Sequence, residues 1–188
     1  MKTLHFIMDP QCGWCYANKR QLSADFHQQI IAMDNRITSL TGQVFSPTYY
    51  ETLLDDKQRI LDSDTPITAL LAGGSLGLNT VAMLHRMQVD QFVLGRSQSD
   101  IANLANIATQ LGASSRAFLN AFDLFSGEKT QQQIIKARQM LNLVGGSGFP
   151  TLAFEHSDGA FTKLDHSRYY GQPQQWLAYV KQLINTID

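Results

Sequence analysis

The sequence predicts an α/β chain with strands at its two ends and a helical middle. Three observations carry this reading. A short apolar run near the N-terminus, Leu4-His5-Phe6-Ile7-Met8, reads as a strand and leads directly into a pair of cysteines. From about residue 22 to residue 145, apolar residues recur every three or four positions, with serine, proline and glycine where helices start and stop. From Pro150 the pattern becomes two strand-like runs around Ser157-Asp158-Gly159, and a last helical stripe closes the chain.

At 188 residues, 44% of them hydrophobic, the chain is long for one minimal domain and short for two. One domain with a large elaboration is the expectation. A net charge of −1 argues against a nucleic-acid binder, which would show a basic face. No apolar run approaches the length of a membrane span. At the N-terminus, one lysine and a few mostly apolar residues precede Asp9-Pro10, too short a run for a signal peptide. The reading is a cytoplasmic protein, where a disulfide is transient and catalytic rather than structural.

Residues 3–8 form the first strand, and Pro10 keeps the next turn irregular until a helix starts near Cys12 or Gly13. The stretch Asp9-Pro10-Gln11-Cys12-Gly13-Trp14-Cys15-Tyr16 holds the only two cysteines of the protein. Two thiols at this spacing, on the first turn of a helix that leaves a strand, form a dithiol/disulfide redox pair. Unpaired N–H groups and the positive end of the helix dipole favour a thiolate at the first position. Cys12 is therefore expected to be the exposed nucleophile and Cys15, one turn deeper, the resolving thiol. Gly13 lets backbone or substrate approach closely, and Trp14 offers either an aromatic platform or packing at the rim. Tyr16 is expected in the core. Zinc requires four ligands, yet there is no second C-x-x-C and the five histidines are scattered. A soft Cu(I) or zinc site on the same cysteines, plain structural cysteines and a non-catalytic binding module remain as alternatives.

Farther along, Leu22, Phe26, Ile30, Met33, Ile37 and Leu40 form one stripe, stopped by Gly42. Ser46-Pro47 supplies a cap with proline at the first helical position. Thr65-Pro66 repeats that signal, Gly73-Gly74 is expected to break the helix, and Val81, Leu84, Met87 and Val89 restart one towards Gly95. Ser99 is expected to cap a helix over 101–111, stopped by Gly112. Ser114 or Ser115 caps the next, ended by Gly127, and a polar-faced helix carries Ile134, Ala137 and Met140 towards Gly145-Gly146. Strands follow over 150–155 and 160–164. After Gly171-Gln172-Pro173, the residues Trp176, Leu177, Val180, Leu183, Ile184 and Ile187 make the buried stripe expected of the last helix.

This order of elements resembles the DsbA-like branch of the thioredoxin superfamily. More narrowly, it is similar to the leaderless, cytoplasmic FrnE-like proteins described as protein-disulfide isomerases. The resemblance rests on Asp9-Pro10-x-Cys12-Gly13-Trp14-Cys15-Tyr16, on Leu40-Thr41-Gly42-Gln43-Val44-Phe45, and on Gly145-Gly146-Ser147-Gly148-Phe149-Pro150-Thr151-Leu152. It covers nearly the whole chain. It implies a thioredoxin fold with a large all-helical insertion between the C-x-x-C helix and the strand after Pro150. Residues 1–19 and 146–188 would be the thioredoxin-like domain, and residues 20–145 the helical insert. It also implies that Pro150 is a cis-proline facing the cysteine pair. In one place the chain departs from the pattern. A thioredoxin fold has a second parallel strand after the C-x-x-C helix, and the sequence leaves no room for it. Residues 36–40 continue a helical stripe instead, so the neighbourhood of residues 17–22 is expected to mark a deletion or a segment hidden by continuous numbering.

The function implied is thiol–disulfide oxidoreduction, with protein or small-molecule thiols and disulfides as substrates and without metal or organic cofactor. The backbone at Phe149 and Pro150 would hold an extended partner chain beside Cys12, Gly13, Trp14 and Cys15.

Overall fold

β1 (Thr3–Ile7) opens the chain in the computed structural model, which describes residues 2–12, 24–56 and 62–186. It runs antiparallel to β2 (Thr151–Glu155), with Thr3 opposite Glu155 and Ile7 opposite Thr151. β2 in turn pairs antiparallel with β3 (Phe161–Leu164), so the sheet order is β1-β2-β3. The central strand is the most buried one, as a strand covered on both faces must be: Ala153 and Phe154 point to opposite faces and both are buried. The β2–β3 turn closes through the Ala160 carbonyl, which accepts the His156 N–H at 2.8 Å, with Gly159 at φ +85°.

The middle of the chain is helical throughout its described part. α1 (Ala24–Thr41) ends at Gly42, whose φ of +75° suits glycine and whose N–H reaches the Thr38 carbonyl. Residues 36–40 lie inside α1, and among the described residues no strand stands between β1 and β2. The expected interruption near residues 17–22 lies outside the described residues, as does Tyr16. Ser46 caps α2 (Pro47–Tyr49) by accepting the Tyr49 N–H, and the chain then widens into a π-helical turn over Tyr50–Leu54. Tyr49, Leu53 and Phe92 bury against one another there, with Phe45 beside them.

α3 (Asp64–Ser75) corrects two expectations. Its N-cap is Ser63 rather than Thr65, and the Asp64 N–H is taken by the Asp62 carboxylate at 3.0 Å. Pro66 falls within the first turn, where a missing N–H costs nothing. Nor do Gly73 and Gly74 break the helix, which stops at Gly77 with φ +77°. Gly73 is present for packing: a side-chain carbon there would stand 2.6 Å from Met83 Sδ of α4 (Thr80–Phe92). α5 (Ile101–Gln110) is capped by Asp100 and not by Ser99. The Asp100 carboxylate receives the Ala102 N–H at 2.9 Å and brings a full charge to the positive end of the helix. α6 (Ser115–Phe125) starts at Ser114, as one of the two expected caps.

Met83, Met87, Leu104, Ile107 and Phe118 fill the core of the helical body between α3, α4, α5 and α6. α7 (Glu128–Leu143) joins that body to the sheet. On one side its Thr130 hydroxyl pairs with Thr68 at 2.7 Å; on the other, Ala137, Met140 and Leu141 cover Ile7, Val144 and Ala153. After a 3-10 turn (His166–Tyr169), α8 (Pro173–Thr186) ends the described chain. Its stripe is not buried as expected: Leu177 and Ile184 are each 47% exposed, and Trp176, Val180 and Leu183 are half-buried. Trp176 instead joins Tyr169 and Tyr179 in a local aromatic cluster, and among the described elements the helix packs chiefly on the turn before it. Ile187 lies outside the described residues. No described helix is long and apolar enough to cross a membrane.

Candidate active site

The strand register decides which distant residues meet. Because Ile7 sits opposite Thr151, the chain leaving the end of β1 lies beside the chain entering β2. Met8, Asp9 and Pro10 carry it out of the sheet. The Asp9 carboxylate accepts the Gln11 N–H at 3.0 Å and the Asp9 carbonyl accepts the Cys12 N–H at 2.9 Å, which folds the segment into a tight turn. Gln11 then ties the turn to the helical body: its Nε2 donates to the Asp62 carbonyl at 2.8 Å and to Ser99 Oγ at 3.3 Å. Ser99, expected as a helix cap, serves here instead. Cys12 is half-buried, with Sγ 3.8 Å from the Phe149 carbonyl oxygen.

The opposite wall is built by the glycine run. Gly145 takes φ +65°, and at Gly146 a side-chain carbon would collide with Leu141 and approach Thr151 Oγ1 to 2.9 Å. The Thr151 hydroxyl donates to the Gly148 carbonyl at 2.6 Å. Phe149 packs towards the core under α7, and the Phe149–Pro150 bond is cis. A cavity of about 640 Å³ opens alongside, lined by residues 146–151 and 163–167.

Two ionisable groups colour the site, and residue spacing announces neither role. Asp9 is 4% exposed, and burial holds its carboxyl above the usual range; the Gln11 N–H and the nearby Ser63 hydroxyl pull it back, while the charge of Asp64 adds to the rise. Tyr170 stands far off in sequence. Burial raises its hydroxyl, and the charges of Cys12 and Asp165 raise it further, so it shares the electrostatic field of the Cys12 sulfur. Its oxygen lies 3.3 Å from His166 Nε2. Asp9 was visible only as part of the motif; nothing in the spacing of Tyr170 or His166 points to Cys12.

Of the residues singled out from sequence, Cys12, Phe149 and Pro150 come together. Gly13, Trp14 and Cys15 lie outside the described residues. Among the described residues no three His, Cys, Asp or Glu side chains converge as metal ligands would.

Over 97% of its length the chain is similar to the cytosolic disulfide reductase DsbM of Pseudomonas aeruginosa, with a TM-score of 0.87 and 32% identity over 98% of that chain. The chain belongs to the DsbA-like family of the thioredoxin superfamily. DsbM with GSH matches at a TM-score of 0.85 and 31% identity, over 96% of this chain and 98% of that one. A candidate protein disulfide isomerase from Nitrosomonas europaea, at 20% identity and a TM-score of 0.71, covers 94% of this chain and 97% of its own and shares the fold. No protein-family model and no curated protein matches the sequence. The fold of this DsbA-like chain is a thioredoxin fold with a helical insertion, and thiol–disulfide oxidoreduction is the class of chemistry that goes with it.

Proposed function

We propose that this DsbA-like protein exchanges disulfides with protein or small-molecule substrates through Cys12 and Cys15. The observation that supports it best is the Cys12 sulfur set 3.8 Å from the Phe149 carbonyl, next to the cis bond to Pro150. In the reductive direction the Cys12 thiolate attacks one sulfur of a substrate disulfide and expels the other as a thiolate. The Cys15 thiolate then attacks Cys12 Sγ, releasing the second substrate thiolate and leaving a Cys12–Cys15 disulfide. Two electrons pass from the pair to the substrate, and an external thiol restores the dithiol. No metal or organic cofactor enters the cycle.

Phe149 and Pro150 offer backbone to an extended substrate chain, and Gly13 and Trp14, between the two cysteines in sequence, complete the substrate-binding set. DsbM is a cytosolic reductase solved with GSH, which supports a cytoplasmic protein and a glutathione-type thiol as one partner. In this reading residues 1–19 and 146–188 form the thioredoxin-like domain and residues 20–145 the insert. Insulin reduction combined with a redox titration of the cysteine pair tests the proposal. A two-electron titration and loss of reduction in Cys12→Ser are expected. Unchanged reduction by Cys12→Ser would sink it.

A further inference from the structure

One position inside the cysteine motif has no part in the exchange chemistry itself: Gln11, directly before Cys12. Its side chain nonetheless makes long-range contacts, giving Nε2 to the Asp62 carbonyl at 2.8 Å and to Ser99 Oγ at 3.3 Å. Both acceptors stand on fixed ground. The Asp62 carboxylate takes the Asp64 N–H at the start of α3, and the Ser99 N–H goes to Ser97 Oγ at 3.1 Å, one residue ahead of the Asp100 cap of α5. A carbonyl can only accept, so the amide nitrogen of Gln11 must face Asp62. Its oxygen is then left buried with no hydrogen-bond partner among the described residues. A buried oxygen left unpaired costs stability, which makes a glutamine here a poor choice for folding alone.

We infer that Gln11 is a positioning residue for thiol exchange, clamping the Cys12 turn to the helical body so that the Cys12 sulfur meets a substrate held at Phe149 and Pro150. This role presupposes the exchange proposed above. Asp9 shapes the turn internally, through the N–H groups of Gln11 and Cys12, but bonds between neighbours do not fix where the turn stands against a distant wall. The Pro10 ring is almost fully buried and anchors the entry. Past it, the Gln11 side chain reaches one way, to the start of α3 and the loop before α5. The Cys12 sulfur lies the other way, 3.8 Å from the Phe149 carbonyl oxygen. The sulfur is thus placed between two anchors, the helical body behind it and the cis-proline wall in front. Exchange needs the attacking sulfur nearly in line with the disulfide, and a displacement of about 1 Å can cost about a hundredfold in rate. Without the amide, the turn keeps its local bonds and the substrate its backbone contacts, but the sulfur stands in the required place for a smaller share of the time.

Insulin reduction by Gln11→Met, a side chain of similar length without an N–H, tests this in the whole protein. Its kcat should fall about tenfold while KM stays at the parent value, because the lost interaction serves the attack and not substrate binding. Ser99→Ala removes only the longer bond and should lower kcat about two- to threefold. Added to Gln11→Met it should cost nothing further, since its partner is already gone. The urea midpoints should stay near the parent's, because the relieved oxygen offsets the lost bonds. Parent-like kcat in Gln11→Met overturns the inference. So does a raised KM at unchanged kcat, which would make Gln11 a substrate contact, and so do losses that simply add in the double variant. A urea midpoint that drops in step with kcat would reduce Gln11 to a structural residue. Should Gln11→Met fail to fold, Ser99→Ala decides: lower kcat at the parent midpoint upholds the role, and parent-like kcat removes it. If the parent itself does not reduce insulin, the exchange reading falls and this role with it. If the parent does and the variants match it, only this role falls.

Discussion

Replacing Asp34 by Asn should change how stability depends on pH more than it changes stability itself. Asp34, in α1, is 1% exposed. Burial pushes its carboxyl from the usual 3.8 up to about 7, although the hydrogen bond from the Tyr50 hydroxyl pulls the other way. The second carboxyl oxygen has no hydrogen-bond partner among the described residues. Below pH 3.8 the group is protonated in both the folded and the unfolded chain. Between 3.8 and about 7 the unfolded chain gives up its proton while the folded chain keeps it, so stability falls as pH rises and levels off above about 7. At about 1.4 kcal/mol per pH unit, that window is worth up to about 4 kcal/mol. Asn keeps the shape and an acceptor for Tyr50 but does not titrate. The stability difference between Asp34→Asn and the parent should therefore swing by about 4 kcal/mol between pH 4 and pH 8, in favour of the variant at the higher pH. With a urea slope of about 2 kcal/mol per molar, the two midpoints should separate by about 2 M over that range. Urea unfolding followed by circular dichroism at several pH values reads this directly. Midpoints that move in parallel for both proteins would refute the reasoning. Tyr50→Phe should shift the window upwards, because it removes the bond that lowers the carboxyl.

The remaining predictions concern the site and the packing that supports it. Cys15→Ser should trap mixed disulfides with substrate thiols, whereas Cys12→Ser should trap almost none; gel shifts under non-reducing conditions distinguish them. Limited alkylation at mildly acidic pH should label Cys12 before Cys15, since only the thiolate reacts, and mass mapping of the adduct checks the order. Gly146→Ala forces the loop before Phe149 to move, because the new carbon meets Leu141 and Thr151; it should cost about 1–3 kcal/mol and slow insulin reduction. Asp100→Ala should cost about 1 kcal/mol in thermal or urea unfolding, while Ser99→Ala should leave α5 intact, as the cap is the aspartate.

The sequence by itself determined much of what rests on local chemistry, though not the caps of α3 and α5. Apolar spacing located α1, and serine caps, with Pro47 at the second of them, located α6 and α2, since helix periodicity and capping act within a few residues. The strands at the two ends were legible from their short apolar runs, and the meeting of Cys12 with Phe149 and Pro150 followed from the family resemblance. Local signals failed where a neighbour from elsewhere in the chain decides. Gly73 reads as a breaker until Met83 of α4 fills the space its missing side chain leaves. Ser99 reads as a cap until Gln11 claims its hydroxyl. The apolar stripe of α8 reads as buried until Tyr169 and Tyr179 draw Trp176 away. Tyr170 and His166 have no spacing that announces Cys12; only the antiparallel pairing of β1 with β2, and the turn after β3, bring that field together. Which edge of β1 pairs with β2 is likewise a property of the sheet, because a strand's own residues fix its two faces but not which edge will find a partner.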